Sequence, residues 1–157
     1  MGEDHEEFER FVSKVEPGLR RALVAGFGAV EGRLATVDAL AWAWEHWCDV
    51  ASMTNPAGYL YRVGRTAATR SRPRDLPVAE LVPDHVSDRL DIEPGLVPGL
   101  ASLSHQQRAA VLLVHGYGYS LRDAASLLDI SPSTVHTDCK RALARLRTVL
   151  EVEQDVS

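Results

Sequence analysis

Cysteine is nearly absent from this 157-residue chain: Cys48 and Cys139 lie in opposite halves. That excludes a disulfide framework and leaves no spacing for a metal or redox motif, so both read as reduced core residues. No apolar run is long enough to span a bilayer, and the acidic start (Glu3, Asp4, Glu6, Glu7) is unlike a signal peptide. The expectation is a soluble cytoplasmic protein with no membrane partner. No two histidines have metal-ligand spacing. There is no Gly-rich phosphate loop, no nucleophile elbow and no catalytic carboxylate pair, so neither an enzyme nor a bound cofactor is expected.

What is present concentrates between Ser120 and Arg147, SLRDAASLLDISPSTVHTDCKRALARLR. Leu121, Ala124, Ala125 and Leu128 recur at helical spacing, with Ser120 as cap and Asp123 at the capping-box position. Asp129-Ile130-Ser131 is a turn, with Ile130 as its plug. Ser131 caps the next helix, and Pro132 suits its first position because the missing N–H has no intrahelical partner there. Val135, Cys139, Ala142, Leu143 and Leu146 form one apolar stripe, while Ser133, His136, Thr137, Lys140, Ala144 and Arg147 lie opposite, with Arg141 beside them. This is the layout of a helix-turn-helix, in which a braced second helix enters a major groove. Ser131, Ser133, Thr134, His136 and Thr137 are candidates for base edges, and Lys140, Arg141, Arg145 and Arg147 for phosphates. The alternative is a plain helical hairpin with a solvated basic face.

The net charge of −5 argues against nucleic acid only until its distribution is considered. Arg62, Arg65, Arg70, Arg72 and Arg74 fall in a stretch without an acid, whereas the acids gather at the start, the middle and the tail. Upstream, Phe8, Phe11, Val12 and Val15 mark a first helix. Glu16-Pro17-Gly18 interrupts it, and a second helix carries Leu19, Leu23, Val24 and Phe27. Gly26, Gly28 and Gly32 loosen the next connection. A third helix runs from Thr36 to Trp47, with Trp44 and Trp47 in the core and Trp42 off the stripe. Cys48 to Asn55 reads as a loop, and Asn55-Pro56 starts a fourth helix with Tyr59, Leu60, Val63 and Ala67 inward. Tyr59 can be a stacking platform or a core residue, the core role weighing more. The basic stripe is either a solvated face or a phosphate-binding surface. Pro73 to Gly99 holds five of the eight prolines among acids and reads as a linker with at most short helical turns. Beyond it, Ser104 caps a helix from His105 to His115, with Gln107 at the box position.

The expectation is an all-α chain of two small helical domains, residues 1–72 and 100–150, joined by a Pro-rich linker at 73–99 and followed by an acidic tail at 151–157. The stretch from Leu100 to Leu150 resembles region 4 of bacterial sigma-70-type factors of the extracytoplasmic-function group. Ala39 to Trp47 and Asn55 to Arg65 resemble region 2 of the same group. The resemblance implies binding to core RNA polymerase and promoter DNA, with an anti-sigma factor as a further possible partner. Region 4 would read the −35 element as duplex, and region 2 the −10 element as an opened strand. It places Asp38, Leu40, Ala41, Trp42 and Glu45 on the polymerase-binding helix. The Cys48 to Asn55 loop falls at the pocket for a flipped base, and Tyr59, Arg62, Arg65 and Arg70 face the −10 DNA, where stacking and backbone charge are needed. Two departures stand out. Leu34-Ala35-Thr36-Val37-Asp38 replaces the family's Asp-Leu-Val-Gln-Glu run, so only the last acid survives. Asp138 stands where an arginine is common; pairing with Arg141 one turn on explains it more simply than contact with a cytosine. The alternatives are a stand-alone helix-turn-helix regulator that does not engage polymerase, and an interaction module held by an inhibitory partner.

Overall fold

The structure, a computed structural model, describes residues 2–70 and 96–156, with side chains as far as Glu151. Arg72, Arg74 and residues 73–95 of the linker expected at 73–99 lie outside the described residues. All regular structure among the described residues is helical.

α1 runs unbroken from Gly2 to Phe27, passing through Pro17, where the sequence had predicted two helices. Phe8, Phe11, Val15, Leu19, Ala22 and Leu23 keep one phase across the proline and all pack into the core. Proline forfeits a single backbone bond, and the continuous stripe outweighs it. The break comes at Gly28, whose φ of 92° reverses the chain. Of the three glycines expected to loosen this connection, Gly28 alone does so. Gly26 belongs to α1, and Gly32 lies inside α2 (Ala29–Glu45), which starts earlier than predicted. A Cβ at Gly32 would stand 2.5 Å from the Val24 backbone, so α2 crosses α1 at backbone contact.

That close crossing decides which face of α2 is buried. Its inward residues are small: Gly32, Ala35, Thr36, Ala39 and Ala43. The bulky residues are therefore turned out, with Val30, Leu34, Val37 and Trp44 about half exposed or more. Trp44 is thus not the core residue that was expected. Trp47 is half-buried between Phe8 and Phe11, with ring centroids at 5.3 and 5.1 Å. Part of the expected 48–55 loop is helical, as α3 (Trp47–Ala51). Cys48 is exposed rather than buried. Asn55 then accepts from the Gly58 N–H at 3.3 Å and starts α4 (Pro56–Arg70). Here Leu60 and Tyr61 are the core residues, and Tyr59 is exposed.

In the C-terminal half, α5 (Leu96–Ala101) packs on the last helix, close enough that a Cβ at Gly99 would meet Leu146 at 2.8 Å. α6 (His105–Val111) is capped as expected, with the Gln107 N–H on Ser104 Oγ at 3.2 Å. It continues as a π-helical turn, Leu112–Gly116, before α7 (Leu121–Leu128) and α8 (Pro132–Val156). The two halves share one apolar core: α1 packs on α6 and α4 on α7. Arg108 on α6 is 1% exposed, and its guanidinium donates to the carbonyls of Leu100 and Leu103 in its own half and of Ala25 and Gly26 at the end of α1.

Candidate nucleic-acid interface

The helix-turn-helix forms from local signals. Ser120 Oγ accepts from the Asp123 N–H at 3.0 Å, and Ser131 Oγ from the Thr134 N–H at 3.1 Å, fixing the starts of α7 and α8. Between them Asp129 closes α7 in the left-handed conformation, φ 57° and ψ 44°, a place a short polar side chain tolerates. Ala124, Ala125, Leu127 and Leu128 are buried, but Leu121, expected on that stripe, sits at the exposed edge. Val135, Cys139, Ala142 and Leu146 anchor α8. Burial, and secondarily the Asp138 carboxylate, pushes the Cys139 thiol pKa up, so it remains protonated and inert.

The opposite side of α8 is open. Ser131, Ser133, His136, Thr137, Lys140, Arg141, Arg145 and Arg147 are exposed and Thr134 is half-buried. Lys140, Arg141, Arg145 and Arg147 make no ion pair with any described residue. The sequence-predicted duplex-facing residues thus lie together on one solvent-facing surface. Asp138 does not join them. It is buried, and its carboxylate accepts from Gln106 Nε2 on α6 at 2.7 Å, so neither the Arg141 pair nor a base contact describes it.

A second surface lies on α4 and the end of α2. The Trp42 indole is half-buried between the His46 ring at 4.2 Å and the Tyr59 ring at 5.3 Å. Tyr59, Arg62 and Arg70 are exposed, and Arg65 is half-buried. Arg62 reaches Asp129 across the two halves at 3.5 Å. Tyr61 points the other way; its burial, partly offset by Arg65, raises the phenol pKa to about 12.

The third surface is the outer face of α2. Val30, Leu34, Val37, Ala41 and Trp44 form an exposed, largely apolar stripe, bordered by the exposed Asp38 and Glu45. Of the predicted polymerase-binding residues, Asp38, Ala41 and Glu45 lie on or beside it, whereas Leu40 and Trp42 are half-buried. Sequence reasoning missed Val30 and took Leu34 and Val37 only as departures from the family's polar run, although the spacing of the three carries a helical period. Near the end of this stripe a cavity of about 630 Å³ is lined by Trp44, His46, Trp47 and Cys48. No group of His, Cys, Asp and Glu among the described residues could hold a metal ion. Arg108, also missed, carries no local signal: a single arginine in a short helix reads as solvated.

These surfaces define a helix-turn-helix protein with a second, aromatic and basic module in the same chain. The family model for sigma-70, region 4 matches residues 99–146. RNA polymerase sigma-E factor of Streptomyces antibioticus is 33% identical over 120 residues, 72% of this chain and 67% of that protein. The extracytoplasmic-function sigma factor SigM of Mycobacterium tuberculosis is 45% identical over 51 residues, 32% of this chain but only 26% of SigM. Two solved structures share the fold. The sigma factor RpoE of Bartonella quintana, in complex with the anti-sigma factor NepR, gives a TM-score of 0.58 at 24% identity, covering 94% of this chain and 98% of that one. CnrH, in complex with the cytosolic domain of CnrY, gives 0.59 at 20% identity, covering 94% and 90%. The chain belongs to the sigma-70 family of RNA polymerase sigma factors, in its extracytoplasmic-function group.

Proposed function

We propose that the chain directs core RNA polymerase to promoters as a non-enzymatic initiation factor. The observation that carries this reading is the open side of α8, where polar and basic side chains stand on a helix braced by α7, in one chain with the Trp42–Tyr59 aromatic pair and the arginines of α4. α8 reads the −35 element through the major groove, with His136 and Thr137 at base edges and Lys140, Arg141 and Arg145 on phosphates. α4 contacts the −10 element as an opened strand, Tyr59 offering a ring face and Arg62, Arg65 and Arg70 backbone charge. The outer face of α2 docks polymerase through an apolar ridge with acidic borders. That exposed ridge favours a polymerase-engaging factor over a stand-alone regulator. The same surfaces suit an anti-sigma partner. On this reading the protein works in the cytoplasm, alongside the polymerase it serves; no helix among the described residues is long and apolar enough to cross a membrane.

The test is selection from a random duplex pool with and without core polymerase. The expected result is a −35-like motif from the chain alone and a bipartite motif when polymerase is present. An identical motif in both arms, with no co-purification of polymerase, overturns the reading in favour of a stand-alone regulator.

A further inference from the structure

Beyond the end of the α2 ridge lies the cavity of about 630 Å³, a size that takes a drug-sized molecule. Trp44 and Trp47 wall it. Both indoles are braced by α1. The Phe8 ring centroid lies 4.9 Å from that of Trp44 and 5.3 Å from that of Trp47, and Phe11 lies 5.1 Å from Trp47. His5 meets Trp44 edge-on at 5.9 Å. This ring cluster fixes the walls, yet it leaves Trp44 46% exposed. A tryptophan braced on one side and bare on the other offers a ring face to a guest.

The rest of the lining carries charge of one sign. Asp4, Glu45 and Asp49 are exposed carboxylates at the cavity, and no lysine or arginine stands among its described lining residues. α2 ends at Glu45 with no basic residue in its last turn, so the negative end of a 17-residue helix dipole meets the cavity. The positive end of α1 meets it too, but Glu3 and Asp4 occupy that first turn. The two histidines of the lining are engaged elsewhere, His5 with Glu9 at 3.1 Å and His46 Nδ1 with the Trp42 carbonyl at 2.9 Å. Carboxylates without a basic partner oppose a phosphate-bearing guest. A metal ion finds no ligand set, since no group of His, Cys, Asp and Glu among the described residues could hold one. Aromatic faces beside carboxylates suit a cation that is large, weakly hydrated and apolar at its surface. We propose that this cavity is a binding site for a small organic cation with a methylated ammonium head. The head sits over Trp44 and Trp47, its methyl groups cover the exposed indole, and Asp4, Glu45 and Asp49 supply the counter-charge. The site stands apart from the promoter-directing reading, because binding is measured on the free chain.

The test is a titration of the full, isotope-labelled chain with choline chloride, followed by nuclear magnetic resonance in mildly alkaline buffer. Sodium chloride is the control for ionic strength. The neutral comparison is the alcohol in which a quaternary carbon replaces the choline nitrogen, the same shape without the charge. The indole N–H resonances report the site. Those of Trp44 and Trp47 are expected to shift and saturate with a Kd of about 1–10 mM, a modest affinity that fits rings still in contact with water. Trp42, between His46 and Tyr59, is expected to move least. The alcohol is expected to bind about tenfold more weakly, and sodium chloride to give no saturating shift. Trp44→Leu, with Trp47 left as reporter, is expected to weaken choline about tenfold. Asp4→Asn with Asp49→Asn is expected to weaken it about fivefold, and changes only exposed side chains, so the test holds even where Trp44→Leu disturbs the packing on α1. Equal responses to choline and the alcohol overturn the proposal, because they make the cavity a plain apolar cleft. A choline response that sodium chloride reproduces, or that the double carboxylate variant leaves unchanged, overturns it as well.

Discussion

Replacing Lys140 and Arg141 together by alanine tests the duplex-reading side of α8 through salt rather than bare affinity. Both side chains are exposed, on the side of the helix away from Val135, Cys139 and Ala142, and neither is tied up in an ion pair with a described residue. Their charge is therefore available to displace counterions from DNA. Each phosphate neutralised contributes about 0.9 to the slope of log affinity against log salt, so losing both should flatten it by about 1.8. Between 50 and 200 mM salt, the ratio of wild-type to variant affinity should then shrink by about tenfold. Fluorescence anisotropy on a duplex recovered from the pool selection measures this directly. Circular dichroism checks the fold, which two exposed substitutions should shift by at most about 0.5 kcal/mol each. Parallel salt slopes for variant and wild type would remove both residues from the phosphate contact, whatever the absolute affinity.

Arg108→Ala removes the guanidinium donor from the carbonyls of Ala25, Gly26, Leu100 and Leu103, of which Leu100 keeps the Leu103 N–H, at a cost of about 3–5 kcal/mol. Thermal melting should fall by about 10 °C, and a drop of 2 °C or less would contradict the role given to this residue. Leu34→Asp with Val37→Asp should abolish co-purification with core polymerase while leaving duplex affinity within twofold; retained co-purification moves the docking face elsewhere. Tyr61 and Tyr117, both raised to about 12 mainly by burial, should be silent in 295 nm absorbance until well above pH 10. Because the fold favours their neutral form, the associated stability is complete below about pH 10 and is lost as pH rises toward 12. Ionisation of all four tyrosines near pH 10, with the fold intact, would refute that burial.

The parts of the fold that follow from neighbouring residues were legible in the sequence. Ser104, Ser120 and Ser131 cap where they were expected to, and Pro132 opens α8, because a cap bonds within three residues of itself. The stripe of α8 was equally readable, and so was its exposed side. What failed depends on distant partners. Pro17 should break a helix by propensity, yet a core in phase on either side carries α1 through it. α2 looked like a helix burying its tryptophans, but Gly32 brings it so close to α1 that only small residues fit inward and Trp44 is turned out. Asp138 was assigned a neighbour on its own helix, while Gln106, far back in the chain, holds it instead. The packing of one half on the other was invisible for the same reason. Gly26 read as a loosened connection and Gly18 as part of a helix break, when both mark close approach, as Gly58 does, and Arg108 gave no hint of the carbonyls it reaches.

The central claim is that this chain supplies promoter recognition to a polymerase lacking it. Run-off transcription by core polymerase, from a template carrying the bipartite motif recovered in the selection, measures that claim most directly. The account predicts a discrete transcript that requires the wild-type chain and falls at least tenfold with Arg62→Ala and Arg65→Ala together, while duplex binding by α8 persists. No chain-dependent transcript, or equal transcription from the double variant, would contradict it.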